Sequence, residues 1–426
     1  MGKSIFFYVL LVLQCCAVNL SVPPPVSGQE ADQRTDLNCP FATVRPRAEG
    51  GEAQAQFLLG QAYAKGLGVP VDYREAAIWW TRAAEQGIAA AQNQLGLSYL
   101  NGLGVPQNYS LALHWLHAAA EQGLPAAQYN LGSIYMRGSG IPRDFVQAVA
   151  WYRKAAEQGL AVAENNLALA YLCGSGVSRD VSQYIKLLSM AAEKGQVSAQ
   201  HNLGEAYLLG TGVPKDFGKA MDWFQKSAGQ GLSDSYYAIG YMYHEGKGVH
   251  RSYADAVVMY EKAAERGSPK AQAMLGLMYF KGEGIPRDYA EAVQWLRLAA
   301  EQGQPQAQNF LGWMYVKCLG VKCDSREGAE WFRKSAEQGF ALAQANLGYL
   351  LEHGQGVLLD YLEAHKWYQI AAASGNIKAR QAMKNIAQVM TQKQLRESDS
   401  RASDWQQRHK SIEASAASIA AIVSHE

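Results

Sequence analysis

The side chains of this chain that could catalyse a reaction or bind a metal are not spaced as in known reactive sites. His114 and His117 lie three apart and would share one face of a helix, where two histidines can hold a metal ion. No third ligand accompanies them, so we favour surface histidines. The chain has no Ser-x-x-Lys, no His-Glu-x-x-His and no Gly-x-x-x-x-Gly-Lys-Ser/Thr motif. The sequence therefore predicts no catalytic residue, no metal site and no cofactor.

The cysteines offer a second kind of chemistry, the formation of disulfides. Cys318 and Cys323 lie in one short loop and can pair locally. Cys39 and Cys173 are far apart in sequence, and whether they are bridged stays open. Cys173 also suits a small buried apolar residue, which we favour. Because the chain has no Cys-x-x-Cys pair, the cysteines do not indicate a metal site.

The N-terminus has the features of an export signal. Lys3 precedes a short apolar run at residues 4–13, and small residues follow up to Ala17. Ten apolar residues are too few to cross a membrane, so we expect cleavage near Ala17 and a signal peptide at 1–17. Acylation of Cys15 or Cys16 is the alternative, which the large glutamine before Cys15 disfavours. No later segment is long enough to span a membrane.

The charge balance argues against a nucleic-acid partner. The 426 residues include 39 basic and 38 acidic side chains, so the formal net charge is only +1. Nucleic-acid binders carry a clustered basic excess, which this chain lacks. Hydrophobic residues make up 48% of the sequence, enough for an extended core. The Pro-, Gln- and Asp-containing stretch before the first periodic segment shows no helical period, and we interpret 18–52 as a linker.

The remainder is organised by a period of 36 residues, with no insertion. One position is occupied by Gly60, Gly96, Gly132, Ala168, Gly204, Gly240, Gly276, Gly312 and Gly348. A second is occupied by Gly87, Gly123, Gly159, Gly195, Gly231, Gly267, Gly303, Gly339 and Gly375. A third is occupied by Ala84, Ala120, Ala156, Ala192, Ala228, Ala264, Ala300, Ala336 and Ala372. Nine-fold coincidence at several positions identifies a tandem repeat.

Each recurring position has a structural reason. Ala55, Leu59 and Tyr63 are four apart, which places them on one stripe of a first helix. A glycine inside that helix costs about 0.5–1 kcal/mol relative to alanine, so we expect a backbone to pass close to it. A Gly-x-Gly loop ends the helix, which distinguishes this loop from a dinucleotide-binding fingerprint. The second helix begins at a good N-cap residue in every repeat. These N-caps are Asp72, Asn108, Asp144, Asp180, Asp216, Ser252, Asp288, Asp324 and Asp360.

One helix pair cannot bury its apolar stripe, but stacking on the next pair does so. The pattern therefore predicts an all-α fold, a right-handed α-solenoid of nine 36-residue helix–turn–helix repeats. The predicted repeats are 53–87, 88–123, 124–159, 160–195, 196–231, 232–267, 268–303, 304–339 and 340–375. Residues 376–426 follow as C-terminal capping helices and a tail, with a capping box formed by Thr391 and Gln394.

The repeats at Ala127 to Gly159 (AQYNLGSIYMRGSGIPRDFVQAVAWYRKAAEQG) and at Ala271 to Gly303 resemble the Sel1-like repeat family, which is related to the tetratricopeptide repeats. The resemblance covers about Ala53 to Gly375. It implies an adaptor or binding role, and secreted bacterial members are linked to host interaction or envelope assembly. Cysteine-rich relatives with β-lactamase activity carry a helix-bridging cysteine pair in each repeat. This chain lacks those pairs, so the resemblance does not extend to that activity.

Two repeats depart from the pattern. In the fourth, Ala168 replaces Gly, Ser178 replaces Pro, Tyr184 replaces Ala and Leu187 replaces Trp. We favour local repacking of the core over a bend in the superhelix, since compensated volume changes are tolerated. In the eighth repeat Cys318 stands where the loop glycine is expected, and we attribute this departure to the Cys318–Cys323 disulfide.

In tetratricopeptide-like stacks the first helix lines a concave groove, which predicts the side chains that face a ligand. The candidates are Phe57, Tyr129, His201, Tyr237, Tyr241, His244, Phe280, Trp313 and Tyr349. Those from Tyr237 to Trp313 concentrate aromatic side chains in the sixth to eighth repeats. Aromatics are favoured interface anchors, although the same residues could instead pack between repeats.

The sequence thus predicts an exported scaffold, periplasmic or secreted, that binds a protein or peptide in its groove and is not an enzyme. A role in host interaction fits this prediction. A structural protein of envelope assembly is the alternative, with a hydrolase of the cysteine-rich type less favoured.

Overall fold

A computed structural model describes the backbone of residues 41–421 and the side chains of residues 41–409. Within that range the chain forms 21 α-helices and no strand. The helices are α1 Phe41–Glu49, α2 Ala53–Lys65, α3 Tyr73–Glu85, α4 Ala89–Asn101, α5 Tyr109–Glu121, α6 Pro125–Arg137, α7 Phe145–Glu157, α8 Ala161–Cys173, α9 Val181–Glu193, α10 Val197–Leu209, α11 Phe217–Gly229, α12 Ser233–Glu245, α13 Tyr253–Glu265, α14 Pro269–Lys281, α15 Tyr289–Glu301, α16 Pro305–Lys317, α17 Ser325–Glu337, α18 Ala341–His353, α19 Tyr361–Ala373, α20 Ile377–Ala387 and α21 Gln392–Ala421. The predicted signal peptide, Cys15, Cys16 and Cys39 lie outside the described residues.

Helices α2 to α19 form nine antiparallel pairs, one pair per repeat, which confirms the predicted all-α solenoid class. The pairs belong to two compact units, residues 41–203 with 211–213 and residues 204–210 with 214–418. Each first helix ends at a residue in the left-handed conformation, such as Gly66 with φ +70°. Each second helix begins at the predicted N-cap; the Asp72 carboxylate, for example, accepts from the amides of Arg74 and Glu75 at 2.9 and 3.1 Å. No helix among the described residues is both long and apolar enough to span a membrane.

In eight of the nine repeats a glycine within the first helix makes room for a large side chain of the second helix. A methyl group on Gly132 would lie only 2.6 Å from the Tyr152 ring and 3.0 Å from the carbonyl oxygen of Ala148. The close approach expected from the sequence is therefore present. Its nearest atoms belong to an aromatic side chain, with the backbone second. In the fourth repeat Ala168 is buried opposite the buried Tyr184 and Leu188, as the repacking interpretation expects.

Neighbouring repeats are joined by a chain of amide hydrogen bonds that the sequence did not reveal. Gln92 Nε2 donates to the carbonyl of Ala84 at 3.1 Å, across the repeat boundary. Gln122 Nε2 then donates to Gln92 Oε1 at 2.7 Å. The Gln of each Glu-Gln-Gly string at the end of a second helix, such as Gln122, thus supplies one partner of a partly buried bridge. The same amide pair recurs as Gln86–Gln56, Gln158–Gln128, Gln302–Gln272 and Gln338–Gln308.

The predicted linker 18–52 was wrong over its last part, because residues 41–49 form α1. This short helix buries Val44 and Ala48 against Ala55, Leu59 and Trp79 of the first repeat. Ala48 in α1 and Gly51, just after its end, lie one 36-residue period before Ala84 and Gly87. α1 is therefore the end of a truncated second helix, too short to show a helical period by itself. It covers an apolar face that the first repeat would otherwise expose.

Cys318 and Cys323 form a disulfide that closes the loop after α16, with 4.4 Å between their Cα atoms. Cys318 has φ +60°, the only positive value among described residues other than glycine. It therefore occupies the left-handed position that glycine takes in the other repeats. Cys173 is buried at the end of α8, as a small apolar residue would be.

Removing the disulfide should cost about 2 kcal/mol of unfolding free energy, since the bridge closes a short loop. The double variant Cys318→Gly, Cys323→Ala should be about 1 kcal/mol more stable than Cys318→Ala, Cys323→Ala, because only glycine adopts positive φ freely. Urea unfolding followed by circular dichroism at 222 nm compares the two variants. Equal stabilities would show that residue 318 relaxes out of the left-handed conformation once the bridge is gone.

Candidate protein-binding surface

In the first unit the predicted groove residues belong to the core, which corrects the sequence prediction. Phe57, Tyr129 and His201 are all buried. Tyr129 packs on Tyr152 with 5.7 Å between ring centroids. Burial raises the pKa of the Tyr129 hydroxyl far above its usual range. These side chains are unavailable to a partner because neighbouring helices cover them.

The position of Phe57, Tyr129 and His201 in the repeat also carries hydrogen bonds between the first helices of adjacent repeats. Asn130 Nδ2 donates to Asn93 Oδ1 at 2.9 Å, and Asn202 Nδ2 donates to Asn165 Oδ1 at 3.0 Å. Asn93 and Asn165 hold in their repeats the position that Tyr129 holds in the third, and there they join one repeat to the next. A buried amide pair satisfies polar groups that would otherwise be costly to bury. The three predicted positions of the first unit, Phe57, Tyr129 and His201, therefore present no accessible aromatic anchor.

In the second unit the candidates are more accessible, since all of them, including Tyr237, are at least partly exposed. Tyr237 packs against Tyr260 at 5.6 Å between ring centroids, and burial raises its pKa to about 12. Tyr241, one turn further along α12, is partly exposed, although burial still raises its pKa. Tyr237 is thus partly exposed but engaged with Tyr260, and we assign Tyr241, one turn further along, to the surface that a partner can reach.

His244 lies at the end of α12 among polar and aromatic neighbours. Its Nδ1 is 3.0 Å from Glu245 Oε1, and its Nε2 is 3.8 Å from Glu283 Oε2 of the next repeat. The ring edge contacts Tyr253 with 5.2 Å between centroids. His244 therefore sits at a polar margin between the sixth and seventh repeats.

Phe280 and Trp313 are in direct contact, with centroids 5.6 Å apart in an edge-to-face arrangement. Phe280 also packs on Tyr289 at 5.4 Å. Both Phe280 and Trp313 are partly exposed. They form a pair that spans the seventh and eighth repeats and leaves part of each ring open to solvent.

Tyr349 is the most accessible of the predicted residues, with 50% of its surface exposed. It occupies in the ninth repeat the position that Trp313 holds in the eighth and Tyr241 in the sixth. His353, one turn further along α18, stacks on its ring with 4.2 Å between centroids. The sequence analysis did not single out His353; its spacing of four from an aromatic residue was the available signal. We call Tyr241, His244, Phe280, Trp313 and Tyr349 the aromatic surface.

The histidine pair considered for a metal does not converge on one point. His117 Nε2 lies 3.3 Å from the Tyr135 hydroxyl, and burial lowers the pKa of its ring. His114 is exposed and packs edge-on against Trp115. In the described part of the chain, no three His, Cys, Asp or Glu side chains are grouped in a way that would hold a metal ion.

Paired helices of uniform length in fixed register define the class of α-solenoid repeat proteins. The sequence model of the Sel1 repeat matches this chain in nine consecutive segments. They are 53–88, 89–124, 125–160, 161–196, 197–232, 233–268, 269–304, 305–340 and 341–376. The chain belongs to the Sel1 repeat family, as the resemblance indicated. Sel1 repeat proteins are generally scaffolds for protein interaction, and mostly not enzymes.

Two solved structures are similar over large parts of the chain. A protective antigen of uropathogenic Escherichia coli strains is 32% identical, with 89% of each chain covered and a TM-score of 0.52. A Sel1 repeat protein from Oxalobacter formigenes is 37% identical over 54% of this chain and 94% of its own, with a TM-score of 0.53. Comparison with curated protein sequences finds no match.

Proposed function

We propose that this protein is an exported scaffold that binds a protein or peptide partner through the aromatic surface. The observation that carries the proposal is Tyr349, a large aromatic side chain left 50% exposed on a first helix. At the equivalent position of other repeats Leu97, Leu169 and Leu277 are buried, whereas Tyr241 and Trp313 are partly exposed. An exposed aromatic at a normally buried position indicates a contact made with another molecule.

The surroundings of the aromatic surface suit a protein partner. Lys281 and Lys317 end α14 and α16 as exposed cations, and Glu283 follows with a partly exposed carboxylate. Interfaces commonly combine aromatic anchors with a polar rim that aligns the partner. The mixed signs of this rim favour a polypeptide over a polyanion.

Export is part of the proposal and rests on the N-terminal segment, whose basic residue and short apolar run are typical of a signal peptide. The relative from uropathogenic Escherichia coli is described as a protective antigen. That description accords with a protein located outside the cytoplasm, in the periplasm or beyond it, and with a role in host interaction.

A photo-crosslinking amino acid at position 349 should capture a discrete partner in the cells that produce the protein. The matched control is the same amino acid at Leu298, which is 45% exposed on the second helix α15 of the same unit. Mass spectrometry of the crosslinked product identifies the partner. A product of the same size and amount at both positions would contradict a specific surface.

Once the partner is identified, Tyr349→Ala should weaken the affinity of the protein for that partner about 10-fold or more, as expected for an interface anchor. The thermal midpoint should hardly change, because Tyr349 stacks mainly on His353. Leu298→Ala should leave the affinity unchanged. Isothermal titration calorimetry measures both, and equal affinities for the wild type and Tyr349→Ala would remove the aromatic surface as the binding site.

A further inference from the structure

Helix α21 is held against the last two repeats by one stripe of side chains. Ser398, Ala402 and Trp405 are buried along this stripe, and His409 follows one turn later. The Trp405 ring meets Trp367 of α19 edge-on at 5.9 Å between centroids. The spacing of three and four residues is that of a helix face that packs on a neighbour.

Polar contacts accompany this packing at both ends. Trp405 Nε1 donates to Glu337 Oε2 at 2.9 Å, and Arg401 Nη1 donates to Glu363 Oε1 at 2.6 Å. His365, buried within α19, has its Nδ1 2.9 Å from the Ser398 hydroxyl. α21 is thus fixed to α17 and α19 by specific partners.

Both ring nitrogens of His409 face hydrogen-bond acceptors, and only the protonated ring can donate to both. Its Nδ1 is 2.9 Å from the carbonyl oxygen of Trp405, and its Nε2 is 2.8 Å from the carbonyl oxygen of Glu337. Both carbonyls can only accept, and a neutral imidazole has a single N–H. The neutral ring would therefore turn a nitrogen lone pair towards one of the two oxygens.

The position of Glu337 adds to the preference for the cation. Glu337 is the last residue of α17, where unpaired carbonyls carry the negative end of the helix dipole. The imidazole ring also stacks on Trp405, with 3.6 Å between centroids. A positive charge over an aromatic face and beside a helix C-terminus is stabilised by both.

We propose that α21 is a clasp on the last two repeats, and that its hold tightens when His409 becomes an imidazolium. Acidification from mildly alkaline to neutral pH would then add one charge-assisted hydrogen bond between α21 and α17. Other ionisable groups at this interface are Glu337 on α17, Glu363 and Lys366 on α19, and Glu397, Asp399 and Arg401 on α21. Carboxylic acids, lysine and arginine have ordinary pKa values well away from neutrality, which leaves His365 as the second histidine to consider.

His365 acts in the opposite direction and sets the lower limit of this effect. Burial lowers the pKa of its ring, and the charge of Asp399 offsets this only in part. A histidine with a lowered pKa when docked contributes its stabilisation above its ordinary pKa. That contribution is lost as the pH falls below about 6.5, because His365 on α19 binds a proton more readily once α21 has been released. The clasp should accordingly be tightest near the ordinary histidine pKa and looser on either side.

Hydrogen–deuterium exchange of the full chain tests the clasp, with the exchange rate corrected for its intrinsic pH dependence. Protection of peptides within 392–409 should rise on the order of fivefold between about pH 8 and pH 6.5. Peptides of α13 serve as the internal reference. His409→Gln, which stays neutral yet can donate to one carbonyl, should show no such rise. An equal rise in His409→Gln, or no rise in the wild type, would overturn the proposal.

A second variant separates the two histidines. His365→Gln should keep the rise towards pH 6.5 and lose the decline below it, because no proton can then be bound at position 365. Circular dichroism at each pH verifies that both variants remain folded. If His365→Gln removed the rise in protection towards pH 6.5, that rise would belong to His365. The role of His409 would then be overturned as well.

Discussion

Gly104→Ala should lower the unfolding free energy by about 3 kcal/mol, far more than an ordinary glycine substitution in a loop. Gly104 lies in the loop between the two helices of the second repeat with φ +74°, where an L-residue is already strained. A methyl group there would also overlap the carbonyl oxygen of Tyr73, the first residue of α3. Since the obstacle is backbone, it cannot be relieved by a side-chain rotation. The substitution thus forces the second repeat away from the first.

Gly123→Ala is the matched control for Gly104→Ala. Gly123 has φ +89°, and a methyl group at that position would meet nothing within 4 Å. The substitution should lower the unfolding free energy by only about 1 kcal/mol, which is the strain of the left-handed conformation alone. Urea unfolding followed by circular dichroism gives both values. Equal losses for the two variants would show that the loop of the second repeat moves off Tyr73 at no cost.

Lys194→Gln should destabilise the protein by about 3 kcal/mol, although lysine occupies an outer position. In the fourth repeat Glu164 and Lys194 replace the Gln–Gln pair of the amide bridge, with 2.5 Å between Glu164 Oε1 and Lys194 Nζ. The Glu164 side chain is 0% exposed, and its Oε2 has no hydrogen-bond partner. Removing the ammonium would leave a carboxylate buried without a cation.

Combining Lys194→Gln with Glu164→Gln should restore stability to within about 1 kcal/mol of the wild type, or exceed it. The double variant rebuilds the pair found in the preceding repeat, where Gln158 Nε2 donates to Gln128 Oε1 at 2.9 Å. A double-mutant cycle from urea unfolding gives the coupling energy between positions 164 and 194. A neutral Lys194→Gln single variant would show that water reaches Glu164 and that the fourth repeat is less tightly packed than its neighbours.

These two tests concern the junctions between repeats, on which any binding surface of a stacked protein depends. Each repeat contacts mainly its neighbours, so a weak junction is felt locally. The fourth repeat holds both the ion pair and the Gly-to-Ala replacement at residue 168. Of its altered residues, Ala168 and Tyr184 are buried and Leu187 is partly buried, which accounts for these three as compensating changes in the core; Ser178 is exposed.

The sequence by itself determined the helix pairs, their number and their ends, and with them the family. Capping by residues such as Asp72 and termination by glycines such as Gly66 depend on groups a few residues apart. Local chemistry of this kind is readable without the tertiary structure. The Cys318–Cys323 pairing is equally local. The helix α1 escaped detection because nine residues are too few to show a period, although Ala48 and Gly51 continued the repeat.

Only the tertiary structure decided which side of the first helices a partner can reach. Tyr129 and Tyr349 occupy nearby positions in the sequence pattern, yet one is sealed within the core and the other is half exposed. Exposure depends on how closely the neighbouring helices approach, and that distance is set by side chains from separate repeats. The amide bridges, the Glu164–Lys194 pair and the contacts of His409 likewise join residues 30 or more apart. Such contacts leave no short-range signal, because their partners meet only after the repeats have stacked.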